Sequence, residues 1–464
     1  MNAQTTDTAV LDNAAVEDFA AGLLGALIRP GDGDYATTRK VWNGMIDKYP
    51  ALIVRCASAD DVVRAVTFAR SQNLLVSVRG GGHSTAGFAI CDGGLVIDLS
   101  QMKGISVDPH KRTARAEPGL TLKELIAATQ PHGLATTTGV VSDTGIAGLT
   151  LGGGLGWLMG TYGLACDNVL SFEVVTADGQ VRHASADENS DLYWALRGGG
   201  GNFGVVTAFE YWLHPLGKVL AGMVVHPMAR AKEVLRFYRD FTASAPDELT
   251  ACAALLTSPD GHPAIAVIVC YSGSLEAGEH VVAPLRQVGP PILDLIHPMD
   301  YLDLIQMLDA GNPPGRHYYE KGCSVKHLTD EAIEAIVAAG AALTSPYSLV
   351  LIQHMHGAAS RIAPRATAFA LRGEYYLPLF VAQWPAGAAD RHIAWSRASW
   401  AALQPFASQG TYVNFMAADE TDRVRAAYGV NYERLVALKN QYDTTNFFCS
   451  NQNIQPSIRT DDGW

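Results

Sequence analysis

The feature that most constrains this chain is where it places its glycines. Forty-five of 464 residues are glycine, and the first half gathers many of them into three clusters. These are Gly80, Gly81 and Gly82; then Gly152, Gly153, Gly154 and Gly156; then residues 198–204. Glycine weakens helix and strand interiors but fits tight turns and close backbone contacts. The first half is therefore built from short elements joined at close-packed turns. The third cluster holds a formal G-x-G-x-x-G from Gly199 to Gly204. A dinucleotide site would place that motif after a strand and at the start of a helix. Here it follows the helix-like run 192–196 and precedes the strand-like run 205–213, so the context is inverted. No cluster continues into a phosphate-loop GK[ST], and no HExxH is present. Two readings stay open: amides offered as nests to a long polyphosphate ligand, or tight turns with no ligand.

Around these clusters the sequence predicts alternating helices and strands. Ser58 and Asp61 open an amphipathic helix with Val62, Val63, Val66 and Ala69 on one face. It stops near Asn73, before strands over 74–78 and 95–99. Thr121 and Glu124 form a second capping box, and Pro131 ends that helix. Runs 170–176 and 180–184 flank Ala-Asp-Gly179 as a hairpin. From about Gly217 the glycine loops thin out, and strands such as 264–270 alternate with helices such as 330–343. A strand meander backed by helices, and hence a second α+β unit, is expected there. Residues 412–415 read as a strand and 431–442 as a helix.

Length gives a soft prior of about three domains, and two large lobes fit as well. A 48% hydrophobic share supports a sizeable core, and 17% charge argues against a disordered or coiled-coil chain. Acidic residues exceed basic ones by 46 − 34 = 12, which disfavours nucleic acid as a partner. No apolar run reaches the length of a membrane span. Residues 1–28 lack Lys and Arg, and their apolar stretch follows Glu17 and Asp18, unlike an export signal. Seven scattered cysteines without a CxxC pair point away from a disulfide framework or structural zinc. The expectation is an acidic cytoplasmic enzyme with no metal.

Taken alone, a single His such as His83 at the end of the first glycine loop is more often structural than functional. Its context changes that. Val78-Arg-Gly-Gly-Gly-His-Ser84, Gly152-Gly-Gly-Leu-Gly156, Tyr162-Gly-Leu-Ala-Cys-Asp-Asn168, Arg197-Gly-Gly-Gly-Gly-Asn-Phe-Gly204 and Tyr412-Val-Asn414 occur in this order. Asn431-Tyr-Glu-Arg-Leu435, Lys439-Asn-Gln-Tyr-Asp443 and Asn451-Gln-Asn-Ile454 follow. Together they resemble a bacterial berberine-bridge-enzyme-like flavoprotein of the vanillyl-alcohol oxidase superfamily, over roughly residues 35–456.

The resemblance implies a two-lobed α+β fold. A PCMH-type FAD-binding domain over 35–216 would be completed by the C-terminal segment 411–460. A substrate domain over 217–410, an antiparallel sheet backed by helices, would be inserted between them. It implies FAD bonded covalently to His83 through the 8α-methyl. Arg79, Gly80, Gly81, Gly82 and Ser84 would hold it from one loop. Val140, Thr144, Gly145, Gly148 and Leu149 would do so from a second. Gly153, Gly154, Gly156, Val206 and Asn414 would complete the cofactor site. Many relatives carry a second flavin bond from a cysteine eleven residues before the GGG turn. That position is Val141 here, so a single covalent bond is expected. Cys166 reads as a core residue.

For the chemistry, Tyr412 matches a family tyrosine that can take a substrate proton, with a core tyrosine as the alternative. As a base it would need neighbours that lower its pKa from about 10. Gln353 and His354 are further candidates for substrate contact. Period two puts His354 and His356 on one face and Gln353 on the other. The implied activity is an FAD-dependent oxidase. Hydride would pass from a small organic or natural-product substrate to flavin N5, and oxygen would reoxidise the flavin to give hydrogen peroxide. The alternatives are a flavin oxygenase tailoring a polyketide-like metabolite, with Thr144 shaping an oxygen pocket, and a flavin-binding protein without turnover. A homodimer is compatible with either enzyme.

Overall fold

A computed structural model of the chain describes residues 11–408 and 410–457; residues 1–10 of the N-terminal reading and 458–460 of the expected C-terminal segment lie outside the described residues. In the first sheet, strands Leu52–Arg55, Leu95–Asp98 and Val76–Arg79 run parallel, with Ala26–Ile28 antiparallel at one edge. Leu95–Asp98 lies in its middle and is buried along its whole length, as the apolar run of a parallel strand requires. Helix Ala59–Ser71 makes the crossover. The Ser58 hydroxyl caps it by accepting from the Asp61 amide, and Val62, Ala65, Val66 and Ala69 line its buried face. The second sheet is five-stranded and antiparallel, in the order Ile105–Asp108, Thr113–Ala116, Val205–Trp212, Val169–Val175, Val181–Ser185. Its last two strands are the expected hairpin, turning through Gly179 at a φ of 78°.

From Val219 to Trp384 the chain builds one eight-stranded antiparallel sheet. Its central strands are Pro263–Tyr271, Leu249–Thr257 and Leu349–Met355, followed by Tyr375–Trp384 and His317–Gly322 towards one edge. Period-two alternation gives this sheet two different faces. On one, Val267, Ile352 and Phe380 pack under Val234, Tyr238, Ile333 and Trp395 of the covering helices. On the other, Cys252, Ile268 and Leu377 share a core with Leu155, Phe369 and Tyr412. The α+β architecture agrees with the sequence reading.

The chain then returns to its first half. Helix Tyr432–Tyr442 carries Lys439, whose fully buried ammonium donates to Asp443 at 2.7 Å and to the carbonyls of Asn202 and Phe448. Asn202 lies in the third glycine cluster, and its own amide group donates to the Gly199 and Gln452 carbonyls. Gly198 and Gly199 lack room for a side chain, with Phe369 and Ala195 in the way. The third cluster is thus a packing surface for the C-terminal segment, which answers the question left open for it.

One local expectation fails. Residues 413–415 form a 3-10 turn, with Tyr412 extended before it. The apolar and polar alternation there satisfies a turn wedged between two lobes as well as it would a strand. Removing one partner of a buried ion pair typically costs about 3–5 kcal/mol. Asp443→Ala should lose stability on that scale in denaturant unfolding, more than exposed Asp260→Ala.

Candidate functional site

The first glycine loop leaves the carboxyl end of strand Val76–Arg79, where ligands of parallel sheets bind. Below it, Arg79 and Asp98 face each other across the strand pair. The Arg79 Nε donates to Asp98 at 3.0 Å and a second nitrogen makes the other half of the bidentate pair. The same guanidinium donates to the carbonyls of Thr38 and Lys40. Arg79 was a candidate for holding the cofactor; its charge is instead consumed inside the fold, and its work is to anchor the loop above. In that loop, the amides of residues 80–85 donate to no acceptor among the described residues.

The second loop meets the first glycine to glycine. A side-chain carbon on Gly81 would lie 2.5 Å from the backbone of Gly145, and one on Gly145 equally close to Gly81. This contact brings the loops' side chains together: His83 Nε2 and Asp143 Oδ1 are 3.4 Å apart. Both atoms are buried and have no other partner among the described residues. The His83 ring lies flat on Trp42, with centroids 4.0 Å apart, and Trp42 lies on Tyr318 of strand His317–Gly322. Asn43, fully buried, donates to the carbonyls of Thr85 and Tyr318 and accepts from the Tyr318 amide. It staples the His83 loop to the large sheet.

Beyond this stack, strand His317–Gly322 presents Glu320, which accepts from the Thr85 hydroxyl at 3.2 Å. Burial raises its carboxyl from the ordinary value to about 7, with the Thr85 bond offsetting part of that rise. Glu320, Trp42, Asn43 and Asp143 escaped the sequence reading. Each is a single residue in an undistinguished stretch, and only the fold brings them to His83.

The second glycine cluster carries packing. The amides of Gly152, Gly153 and Gly154 donate to Gly148, Thr150 and the Tyr412 hydroxyl respectively. A side chain at Gly153 would meet Phe369, and one at Gly156 the Thr138 carbonyl. Unlike Gly152, Gly153 and Gly154, the first cluster's amides find no acceptor among the described residues. Gly148 opens onto space, and Leu149, Val140 and Thr144 are half-buried on the same rim. Val206 is buried in the core, which leaves its backbone as the part able to meet a ligand. Ser84 spends its hydroxyl on the Phe88 amide. All seven cysteines are free, and Cys166 is fully buried.

Tyr412 and Asn414 do meet, through an Asn414 Nδ2 bond to the Tyr412 hydroxyl at 2.8 Å. The expected acidification of Tyr412 is not found. Burial outweighs the hydrogen bonds donated by the Gly154 amide, Asn414 and the Leu155 amide and pushes its pKa up to about 12, so the phenol stays neutral. Gln353 pairs with Cys252 and Leu377 on the sheet face towards Tyr412, and its buried Oε1 is unpartnered. His354 is on the other face. It stacks on Tyr376, whose hydroxyl binds Thr242 of a covering helix, and on His356. Burial lowers its pKa to about 3. The geometry removes His354 from the cleft because a one-residue step along a strand reverses the side chain. No group of three metal-ligating side chains occurs among the described residues, and no described helix is long and apolar enough to cross a membrane.

The amides of residues 80–85, which find no acceptor among the described residues, fit an anionic cofactor held at the first loop. Comparison with known proteins agrees. Residues 50–185 match the model of an FAD binding domain, and residues 411–455 that of the berberine and berberine-like segment. An FAD-linked oxidoreductase of Dictyostelium discoideum is 34% identical over 448 residues, covering 95% of this chain and 97% of its own. The crystal structure of 6-hydroxy-D-nicotine oxidase from Arthrobacter nicotinovorans superposes with a TM-score of 0.85 at 31% identity, covering 93% of this chain and 98% of that one. A Physcomitrella patens berberine-bridge-enzyme-like protein shares the fold at 24% identity, with a TM-score of 0.85 over 93% of this chain and 97% of its own.

A raised carboxyl pKa makes folding less favourable as pH climbs from the unfolded value, near 4.5, through about 7. Glu320→Gln lacks this titration. Its melting temperature should therefore rise relative to the parent protein between pH 5 and pH 8, as scanning calorimetry on both would show.

Proposed function

The chain belongs to the FAD-linked oxidoreductases of the berberine-bridge-enzyme-like family, and on that premise we propose an oxidase with FAD bonded once, through His83. Its substrates are a small organic or natural-product molecule and molecular oxygen. When bound, FAD supplies the redox chemistry, taking a hydride from a C–H bond beside oxygen or nitrogen and passing two electrons to oxygen as hydrogen peroxide. The similarity to a 6-hydroxy-D-nicotine oxidase supports a small substrate.

The observation that carries this reading is the setting of His83. It ends a loop whose amides are unpartnered among the described residues, is held flat by Trp42, and keeps a fifth of its side chain exposed. The residues around it have separable tasks. The loop amides bind phosphate, as nests do. Leu351, Leu377 and Leu379 present an apolar roof that excludes water. Gln353 offers a carboxamide to orient the substrate. Glu320, with its carboxyl near 7, receives the proton that a substrate hydroxyl or ammonium gives up. Tyr412 fixes Gly154 and Asn414 rather than acting as the base.

Acid precipitation of the holoenzyme should leave the yellow colour in the protein pellet, and in His83→Ala the colour should move to the supernatant. Small alcohols and amines mixed with the holoenzyme without oxygen should include one that bleaches the flavin absorbance. Admitting oxygen should then yield one peroxide per product. Colour that stays with His83→Ala would sink the attachment. Oxygen found in the product would identify an oxygenase instead.

A further inference from the structure

We propose that Asp143 is the residue that prepares His83 for covalent attachment to FAD, by holding the imidazole through Nε2 so that Nδ1 forms the bond. The inference rests on the reading of His83 as the attachment point and concerns how that bond is made.

The two ring nitrogens of His83 have different surroundings. Nε2 is buried, faces Asp143 Oδ1 at 3.4 Å and has no other partner among the described residues. Nδ1 is not among the buried unpartnered atoms and makes no hydrogen bond among the described residues, so it is the accessible nitrogen of the ring. A carboxylate beside one nitrogen fixes the proton there and leaves a lone pair on the other. Trp42 holds the ring plane, stacked within 21° of parallel. The 3.4 Å spacing is longer than a full hydrogen bond, as is common for catalytic pairs before their ligand is in place.

Asp143 is itself held from both sides. The Ser142 amide and hydroxyl both donate to Asp309, at 3.0 and 2.6 Å, and the Ser142 carbonyl accepts from the Lys123 amide. The Thr144 amide closes the turn on the Val141 carbonyl. The Gly81 to Gly145 contact then sets the distance to the His83 loop. Among the described residues nothing else uses Asp143 Oδ1, and a buried carboxylate oxygen left unpaired is costly unless it serves something.

In the attachment, His83 Nδ1 gives its lone pair to the 8α carbon, and the Nε2 proton passes to Asp143 as the ring becomes neutral again. Overall one N–H and one C–H bond break and one N–C bond forms. The two electrons and two protons released reduce molecular oxygen, the oxidant, to hydrogen peroxide. No other reactant is needed.

The test uses full-length apoprotein from riboflavin-limited cells, incubated with FAD in air. Attached flavin is read as fluorescence that stays with the chain on a denaturing gel. Total binding is read separately, from quenching of FAD fluorescence. Asp143→Asn should bind FAD as the parent does but attach it at least about 10²-fold more slowly, the scale of general-base help. Asp143→Glu should recover part of the rate. Asp143→Asn attaching at the parental rate would overturn the proposal, as would slowed attachment that merely follows weakened binding or a lowered melting temperature. A parent protein without covalent flavin would overturn the reading of His83 beneath it, a failure the gel distinguishes at once.

Discussion

The site depends on a contact between two residues that have no side chains. Gly81 and Gly145 touch backbone to backbone, from loops 64 positions apart in the chain, at a distance that even a methyl group would prevent. That approach is rigid only because each loop is anchored below. One rests on the bidentate Arg79–Asp98 pair at the ends of two parallel strands. The other rests on the capping box of Thr121 and the bonds between residues 120–123 and 142–146. Everything proposed for His83 and Asp143 follows from this geometry, since both side chains only extend what the glycines bring together.

The buried ion pairs share a logic. Arg79–Asp98, Arg372–Asp167 and Lys439–Asp443 each join segments far apart in sequence or lock a loop against its neighbour. Such pairs add little net stability, because desolvation offsets attraction. Their geometric demands are strict, however. Arg372 grips Asp167 with two nitrogens and also donates to Thr367 and the Ala359 carbonyl. It thereby fixes the segment carrying Phe369 against the GGG turn. Specific placement, more than added energy, is what these pairs supply.

Local physics made much of the fold legible in the sequence. The Thr121–Glu124 capping box, the Ser58 cap, the Asp-Gly hairpin and the inverted context of the third glycine cluster are decided by residues within a few positions of one another, and the structure agrees with each. The Asp61 carboxylate, expected to complete a box with Ser58, instead accepts from the Leu24, Gly25 and Ala57 amides. His83 stood out because its loop and the later motifs occur in a specific order. The side-chain alternation around Gln353 and His354 was also readable, but which face meets the cleft was not, because that depends on where the covering helices pack. Glu320, Trp42 and Asn43 were invisible for a related reason. Asn43 bonds to Tyr318 across 275 positions, and no pattern in either stretch announces the other. Tyr412 shows the converse. Its meeting with Asn414 was legible, but its acidity was set by burial that the sequence does not reveal.

The C-terminal clasp bears on the order in which the molecule is made. Tyr412 and Asn414 pack on the GGG turn, and Lys439 closes on Asn202, so elements formed early in synthesis wait for partners made 237 to 258 residues later. Contacts this distant in sequence are slow to form, and the large sheet must be threaded between them in the meantime. Until then the FAD lobe has an open seam along its core. A nascent chain thus holds the loop of His83 before the wall around it is complete.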